Sequence, residues 1–523
     1  MLRPAKALLL SLLLIGCGAG SAVTPAKAPD AAAGSPVSAP ASADTAQASG
    51  LGALPRGVPA APETCAAYRG NAPASCPSGD FNERLAAALG ESELTRDHSL
   101  RCLETAPDAP VGLIRALRAD LAPRGCGDAV VGEDAAVPGA TRDVADALVA
   151  LGVGARLYRS MRDAPLPRPP FSKEQFLKHF KEVLSPWLAD QAHAVETLSR
   201  LGPRLNGYAK AIVALEAGLA DMRFVGVARA IELPAEMKSD AEVRETYLVA
   251  LEQALELRVT RGRDAALVGL GELSRLGITN DARMKDARAL LSELYAGRRI
   301  DALDRLQLPP LAAPDTSSAA LKVAAKLPAF YAQKLDASPK LDDPKLLRAR
   351  LEQGVPPAVW LASSQAPPAP ELLALSQRAL FQLGQTYFWA EAFARAAALP
   401  PLQDSGSELI FALAKVLARG PRNAAAMMLG PPTLPADLRD TSALDAQAGR
   451  NTPDAGRAEL DAAYVRGLAP PANDPAFWKE QAARYERAQK KLESKAAKAI
   501  AGELAKAAQD TEKALRHQAT ATP

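Results

Sequence analysis

Proline and glycine divide this chain of 523 residues into alanine- and leucine-rich segments, and this division limits the folds available to it. Double prolines recur at 309–310, 400–401, 431–432 and 470–471. Because proline cannot continue a helix and restricts the residue before it, these pairs predict the ends of helical units. Aromatic residues make up only 5% of the chain and β-branched residues are sparse, which favours helices over strands. The sequence therefore predicts an all-α fold.

Helix pairs are predicted most clearly between residues 205 and 310, where apolar residues recur at helical spacing between proline and glycine stops. The three predicted pairs are Gly207–Ala220 with Arg223–Leu233, Ala241–Val259 with Arg263–Leu276, and Asp281–Tyr295 with Ile300–Leu308. A single helical hairpin buries only one face, so neighbouring hairpins must stack to complete a core. Repetition of helical hairpins along the chain therefore predicts an α-solenoid.

Three short motifs resemble the tetratricopeptide family. Gly297-x4-Ala302 and Gly420-x4-Ala425 have the spacing of that family's glycine turn and the small residue of its second helix. The segment Leu383-Gly384-x-x-Tyr387 resembles the family's first helix. The resemblance implies helical hairpins stacked as a tetratricopeptide-like solenoid, and the repeat subtype stays open.

The first seventeen residues predict the location of the protein. A basic start is followed by the short apolar run of residues 7–15 and by small residues, which is typical of a secretory signal peptide. Leu14-Ile15-Gly16-Cys17 resembles the lipobox of bacterial lipoproteins. The resemblance implies that Cys17 carries diacylglycerol, becomes the mature N-terminus and is then N-acylated. A plain secretory signal with an incidental cysteine is the alternative.

A lipid anchor would place the protein in the cell envelope. More than one acyl chain gives stable attachment to a membrane. By resemblance to Gram-negative lipoprotein sorting, Gly18 rather than aspartate after the cysteine favours the outer membrane, facing the periplasm or the cell surface. The net charge of +3, which falls to about +1 without Arg3 and Lys6, gives no electrostatic footprint for nucleic acid.

The composition of successive segments predicts the domain organisation. Residues 17–62, rich in Ala, Pro, Ser and Gly, have little to bury and should form a disordered tether. The predicted segments are a signal peptide over 1–16, the lipidated N-terminus and tether over 17–62, a small cysteine-containing helical region over 63–140, a helical-hairpin array over 141–310, a proline-rich interruption with short helices over 311–370, a second hairpin block over 371–471, and a long amphipathic helix over 474–519.

Four cysteines follow the tether: Cys65, Cys76, Cys102 and Cys126. An even number of cysteines in an exported chain points to disulfides, and three pairings are possible. Local closure favours Cys65–Cys76 with Cys102–Cys126. A zinc site would need shorter ligand spacing, such as C-x2-C, so no metal is predicted.

Local signals predict several helix ends. Ser172 and Gln175 form a capping box, with Phe171 and Phe176 as a hydrophobic staple across it. Ser185-Pro186 has the pattern of a new helix start, with serine at the N-cap and proline at the first position. The final helix, from Pro475, should cover the open end of the solenoid, and a coiled coil with a partner is the alternative.

The search for catalytic chemistry gives no candidate. His98, His179, His193 and His517 are dispersed, and H-E-x-x-H, G-x-S-x-G and P-loop motifs are missing from the sequence. No catalytic residue and no cofactor are therefore predicted. The favoured function is a protein-interaction scaffold that binds an envelope protein or peptide on a helical-repeat surface. The alternative is an envelope enzyme that acts on peptidoglycan through an unrecognised site.

Overall fold

The computed structural model describes the greater part of the chain after the N-terminal segment. It describes residues 60–521 except 71–72, 74, 108, 133–136, 138, 163–164, 169, 296–299, 336–342, 352, 355–368, 421–427 and 430–433. Over these residues the chain forms helices and turns and no strand, which confirms the predicted all-α class. The chain divides into two compact units, Met1–Gly269 and Leu270–Pro523.

Ten α-helices begin in the described part of the first unit. They are α1 Phe81–Ala88, α2 Glu93–Glu104, α3 Val111–Leu121, α4 Gly127–Val131, α5 Arg142–Arg162, α6 Lys173–His179, α7 Ser185–Leu201, α8 Gly207–Arg229, α9 Ala235–Ser239 and α10 Ala241–Arg275. The core forms where α5 packs along α8, with α3, α4 and α7 also against α5. The bidentate ion pair between Arg124 and Glu216, at 2.9 Å, ties the segment after α3 to α8.

Eleven α-helices lie in the described part of the second unit. They are α11 Ala282–Leu294, α12 Ala319–Lys326, α13 Ala329–Leu335, α14 Pro344–Leu351, α15 Pro370–Tyr387, α16 Ala390–Ala398, α17 Ser405–Leu417, α18 Ser442–Ala448, α19 Ala455–Gly467, α20 Pro475–Lys491 and α21 Lys495–Ala521. Successive helices pack against each other from α15 to α17 and again from α18 to α21. This order of contacts is that of a helical-repeat-like protein.

Two of the predicted helix pairs are wrong, because each is a single long helix. Helix α8 runs through Asp221 and Met222, and α10 runs through Gly262, where connections were predicted. Asp221 accepts hydrogen bonds from Arg258 and Arg261, so the polar residues of these stretches pair across the helices. In the third pair, α11 begins at Ala282 and Asp281, the first residue of the predicted helix, is its N-cap, but the partner of α11 is only a short 3-10 turn, Ala302–Arg305.

The predicted long C-terminal helix is also wrong, because the chain turns back on itself at residues 492–494. Helices α20 and α21 pack extensively against each other. Leu492 adopts an extended conformation, and Ser494 caps the new helix by accepting the backbone N–H of Ala497 at 3.4 Å. The buried face of α21 consists of small side chains, Ala497, Ala501, Ala505 and Ala508, and the larger Ile500 and Leu504 are only half-buried.

The four cysteines are joined in two disulfides, but the predicted local pairing is wrong. Cys65 pairs with Cys126 and Cys76 pairs with Cys102, with Cα–Cα distances of 5.2 and 5.3 Å. The 3-10 helix Glu63–Tyr68 packs against residues 124–131, which brings Cys65 to Cys126 and not to Cys76. Proximity in the folded helices, rather than proximity in sequence, therefore decides the pairing.

We expect non-reducing peptide mapping to recover Cys65 linked to Cys126, and Cys76 linked to Cys102. The first bridge closes a loop of 61 residues. Its removal by Cys65→Ala with Cys126→Ala should lower the free energy of unfolding by about 4 kcal/mol, because the unfolded chain regains loop freedom. A peptide containing Cys65 linked to Cys76 would contradict this assignment.

A buried carboxyl group lies in the core of the second unit. Asp461 on α19 is fully buried, and its Oδ1 accepts the backbone N–H of Gln307 at 2.9 Å. Its other oxygen, Oδ2, has no hydrogen-bond partner among the described residues. Burial raises the pKa of Asp461 to about 7, against the smaller lowering effects of the Gln307 N–H and of Arg457.

This carboxyl should make stability depend on pH. The folded pKa of about 7 lies above the ordinary value of 3.8, so between these values the folded chain keeps a proton that the unfolded chain has released. Stability is therefore lost as pH rises from about 4 to 7, by up to about 4 kcal/mol. Asp461→Asn, which resembles the protonated acid, should remove this dependence in urea unfolding at pH 5 and pH 8. The exposed Asp510→Asn is the control, and equal pH dependence in both variants would contradict the prediction.

Candidate binding groove

An apolar groove lies in the first unit between the α6–α7 segment, the end of α8 and the first half of α10. The cavity within its walls measures about 80 Å³, and the rest of the space along them is open to solvent. Five aromatic side chains line it: Phe176, Phe180, Trp187, Phe224 and Tyr247. Aliphatic side chains, among them Leu188, Val227, Ile231, Leu251 and Leu255, complete the walls. A concave apolar surface with few polar groups is typical of a binding site.

The first wall of the groove follows from local sequence signals. The predicted capping box is confirmed: Ser172 Oγ accepts the Gln175 N–H at 3.2 Å, and Gln175 Oε1 accepts the Ser172 N–H at 2.8 Å. Phe171 and Phe176 stack with ring centroids 5.7 Å apart, which confirms the staple. These contacts fix the start of α6 and bury Phe176 at one end of the groove.

The predicted boundary at Ser185-Pro186 coincides with the start of α7, with the proline in the first turn, but Ser185 does not cap a separate helix, because the chain is already helical before it. A π turn, Phe180–Leu184, joins α6 to α7. Pro186 has no N–H to donate to the preceding turn, and a π turn is one way in which a helix accommodates such a break. The turn places Phe180 and Leu184 in the wall of the groove.

The other two walls are held together by glycines. A Cβ atom on Gly218 would lie 2.7 Å from the backbone nitrogen of Ala266 and 2.8 Å from the carbonyl oxygen of Gly262. Real Cβ atoms do not approach that closely, so α8 and α10 touch backbone to backbone at this crossing. The groove lies to one side of it, toward the end of α8 and the start of α10.

A stack of two aromatic rings and a cation forms the wall nearest the crossing. The rings of Trp187 and Phe224 are 5.9 Å apart, and the guanidinium carbon of Arg258 lies 4.1 Å from the Phe224 ring centroid. This distance is well within the range of a cation–π contact. The stack places a positive charge in an otherwise apolar wall.

A buried aspartate fixes the position of that cation. Asp221 is 1% exposed, and its Oδ1 accepts Arg258 Nη1 at 3.2 Å. Arg261 donates to both oxygens of Asp221, at 2.5 and 2.7 Å. Removal of one partner from such a buried pair leaves a charge without compensation, so Asp221 and the arginines stabilise one another.

Most of the exposed large apolar side chains lie on the elements that form the groove. In the described part of the chain these side chains are Leu94, Val183, Leu248, Val249, Leu257 and Val268. Val183, which is 40% exposed, lies on the π turn, and the last four lie on α10. Val183 and Leu248 lie nearest the groove, because each is adjacent in sequence to a lining residue, Leu184 and Tyr247 respectively.

The lipobox cysteine, the glycine-turn motifs and the four histidines named from the sequence are not among the residues that line the groove. Cys17 lies outside the described residues, as do most residues of the two glycine-turn motifs. His179 ends α6, where its Nε2 lies 2.7 Å from the carbonyl oxygen of Pro165. His98, His193 and His517 are exposed on α2, α7 and α21. Within the described ranges, no three His, Cys, Asp or Glu side chains are grouped as metal ligands would be.

Sequence reasoning missed the groove, although part of its signal was available. Phe176, Phe180 and Trp187 recur at spacings of four and seven residues, which places them on one face of a helix. Phe224 and Arg258 line the groove because α8 and α10 cross, and no local sequence pattern predicts this crossing.

Comparisons with protein-family models, with curated proteins and with solved structures give no match to this chain. In the part of the chain that the structure describes, no helix is both long enough and apolar enough to cross a membrane. The groove is therefore the feature from which a function has to be argued.

Proposed function

We propose that this protein is a lipid-anchored scaffold of the bacterial cell envelope, and that its groove holds a segment of a partner protein. The observation that carries the proposal is the groove, with its five aromatic side chains and the exposed Val183 and Leu248 next to lining residues. Aromatic side chains dominate the energetics of protein interfaces, where they act as anchors in well-packed pockets. The lipobox-like Leu14-Ile15-Gly16-Cys17 supports the membrane anchor, the signal peptide and the envelope location.

We also propose that the helical body belongs to the tetratricopeptide-like solenoids. The best support is the hairpin of α15 and α16, which contains the motif Leu383-Gly384-x-x-Tyr387. A Cβ atom on Gly384 would lie 2.7 Å from the ring of Phe393, so this glycine lets the two helices approach closely. Tyr387 is buried and donates a 2.5 Å hydrogen bond to the carbonyl of Ile278. In such solenoids each hairpin packs on its neighbours.

The lipid anchor has a direct test. We expect the mature protein to begin at a modified Cys17, since the lipobox family is cut before this residue. Cys17→Ala should leave an unprocessed precursor or a soluble exported form. Mass spectrometry of the N-terminal peptide and detergent-phase partitioning measure both results. A wild-type N-terminus at any other residue would exclude lipidation at Cys17.

The groove should be required for capture of the partner. Leu188 and Val227 are half-buried in its walls, so changing both to glutamate should place charge in the groove with little effect on the core. We expect the partner recovered from cross-linked envelopes to fall about tenfold or more, which corresponds to a loss of about 1.4 kcal/mol or more. Matched changes to glutamate at the half-buried Ile500 and Leu504 on α21 serve as the control.

The same experiment can reject the scaffold. Equal recovery of a stoichiometric partner from the groove variant and from the control would show that the groove is not the binding surface. Enrichment of cell-wall fragments in place of a protein would support the enzyme alternative.

A further inference from the structure

We infer that the occupant of the groove is an amphipathic α-helix of another polypeptide, about three turns long, with an acidic side chain that meets Arg258. This inference rests on the proposed function, because it assigns the chemistry of the partner segment. The length, the apolar stripe and the acidic side chain of this helix each match a separate feature of the groove.

The length of the groove suits a short helix. Its α10 wall runs from Tyr247 to Arg258, which corresponds to about 16 Å along the helix axis. Its opposite wall runs from Phe176 to Leu188, through the π turn. A helix of about twelve residues covers this distance and presents apolar side chains at positions i, i+4, i+7 and i+11.

The charge of the groove comes from one side chain. Among the residues that line it, all of which are described, Arg258 alone is charged. Its stacking on Phe224 and its hydrogen bond to Asp221 hold the guanidinium in a fixed place. A planar, pre-positioned guanidinium favours a carboxylate over a neutral or a basic group. The partner helix should therefore carry glutamate or aspartate at the end of its apolar stripe.

The surroundings of the groove favour a polypeptide over an acyl chain. The groove is partly open to solvent, and Val183 on the π turn and Leu248 on α10 are 40% and 48% exposed. An acyl chain in the groove would leave these neighbouring side chains in water. An amphipathic helix is wide enough to cover the groove and part of its rim at once.

Three synthetic peptides test the inference on the purified full chain. Each is a fifteen-residue helical host with leucine at i, i+4, i+7 and i+11, and they differ only in one residue beside the last leucine: glutamate, glutamine or lysine. We expect fluorescence anisotropy to give the affinity order glutamate, glutamine, lysine, with about tenfold or more between the first and the last. A fourth peptide with alanine at the leucine positions should not bind.

Variants of the protein assign the preference to Arg258. Arg258→Gln leaves Asp221 paired with Arg261, and it should reduce the glutamate-to-lysine ratio to near one. Arg258→Lys keeps the charge and should keep the order. Arg223→Gln is the matched control, because Arg223 also lies over an aromatic ring, that of Tyr158 at 5.3 Å, but does not line the groove. Thermal unfolding of each variant checks that it folds.

Several results would overturn the inference. Lysine binding as tightly as glutamate would exclude the acidic residue, and tighter binding of palmitate than of any peptide would exclude the helix. If Arg258→Gln does not fold, the order of peptide affinities for the wild type and for Arg258→Lys still shows whether the groove prefers an acidic residue. These results do not test the proposed function, which requires only that capture of a cellular protein partner depend on the groove. Only equal recovery of that partner by the groove variant would contradict it.

Discussion

The close crossing of α8 and α10 at Gly218 and Gly262 is the constraint on which the first unit depends. Small residues let two helix backbones approach more closely than ordinary side chains allow. Here the backbone atoms of α10 occupy the space that a Cβ on Gly218 would need. Because the crossing fixes both helices at one point, the residues on one side of it can diverge enough to leave an open groove.

The charged residues near the crossing have a related role. Asp221 precedes the groove residues on α8, and the arginines that bind it lie on α10, next to Gly262. Burial of one carboxylate between two guanidinium groups has a large desolvation cost, and such arrangements contribute orientation more surely than net stability. The ion pairs of Asp221 with the two arginines fix the rotation of α10 about its axis. With this rotation, Tyr247 and Leu251 line the groove and Leu248 is exposed to solvent.

Local signals in the sequence predicted local structure well. The all-α class follows from composition and helical spacing, and the cap at Ser172 was predictable because it depends on residues within one turn. The predictions that were wrong concern features that depend on contacts between residues far apart in the sequence. The sequence predicts a connection between Val259 and Arg263, but Gly262 lies within α10 and lets this helix touch α8. The turn at Ser494 was missed because no proline marks it and because the buried stripe of α21 is alanine.

The two disulfides are nested, since the bridge from Cys65 to Cys126 encloses the one from Cys76 to Cys102. A ribosome delivers Cys65 and Cys76 first, and at that moment each is the nearest oxidation partner of the other. Neither native bond can form until α2 has been made, and the outer one must wait for residue 126. Pairing in order of appearance would trap the wrong isomer, so correct maturation of this region calls for delayed oxidation or for a thiol–disulfide isomerase that reshuffles the early bond.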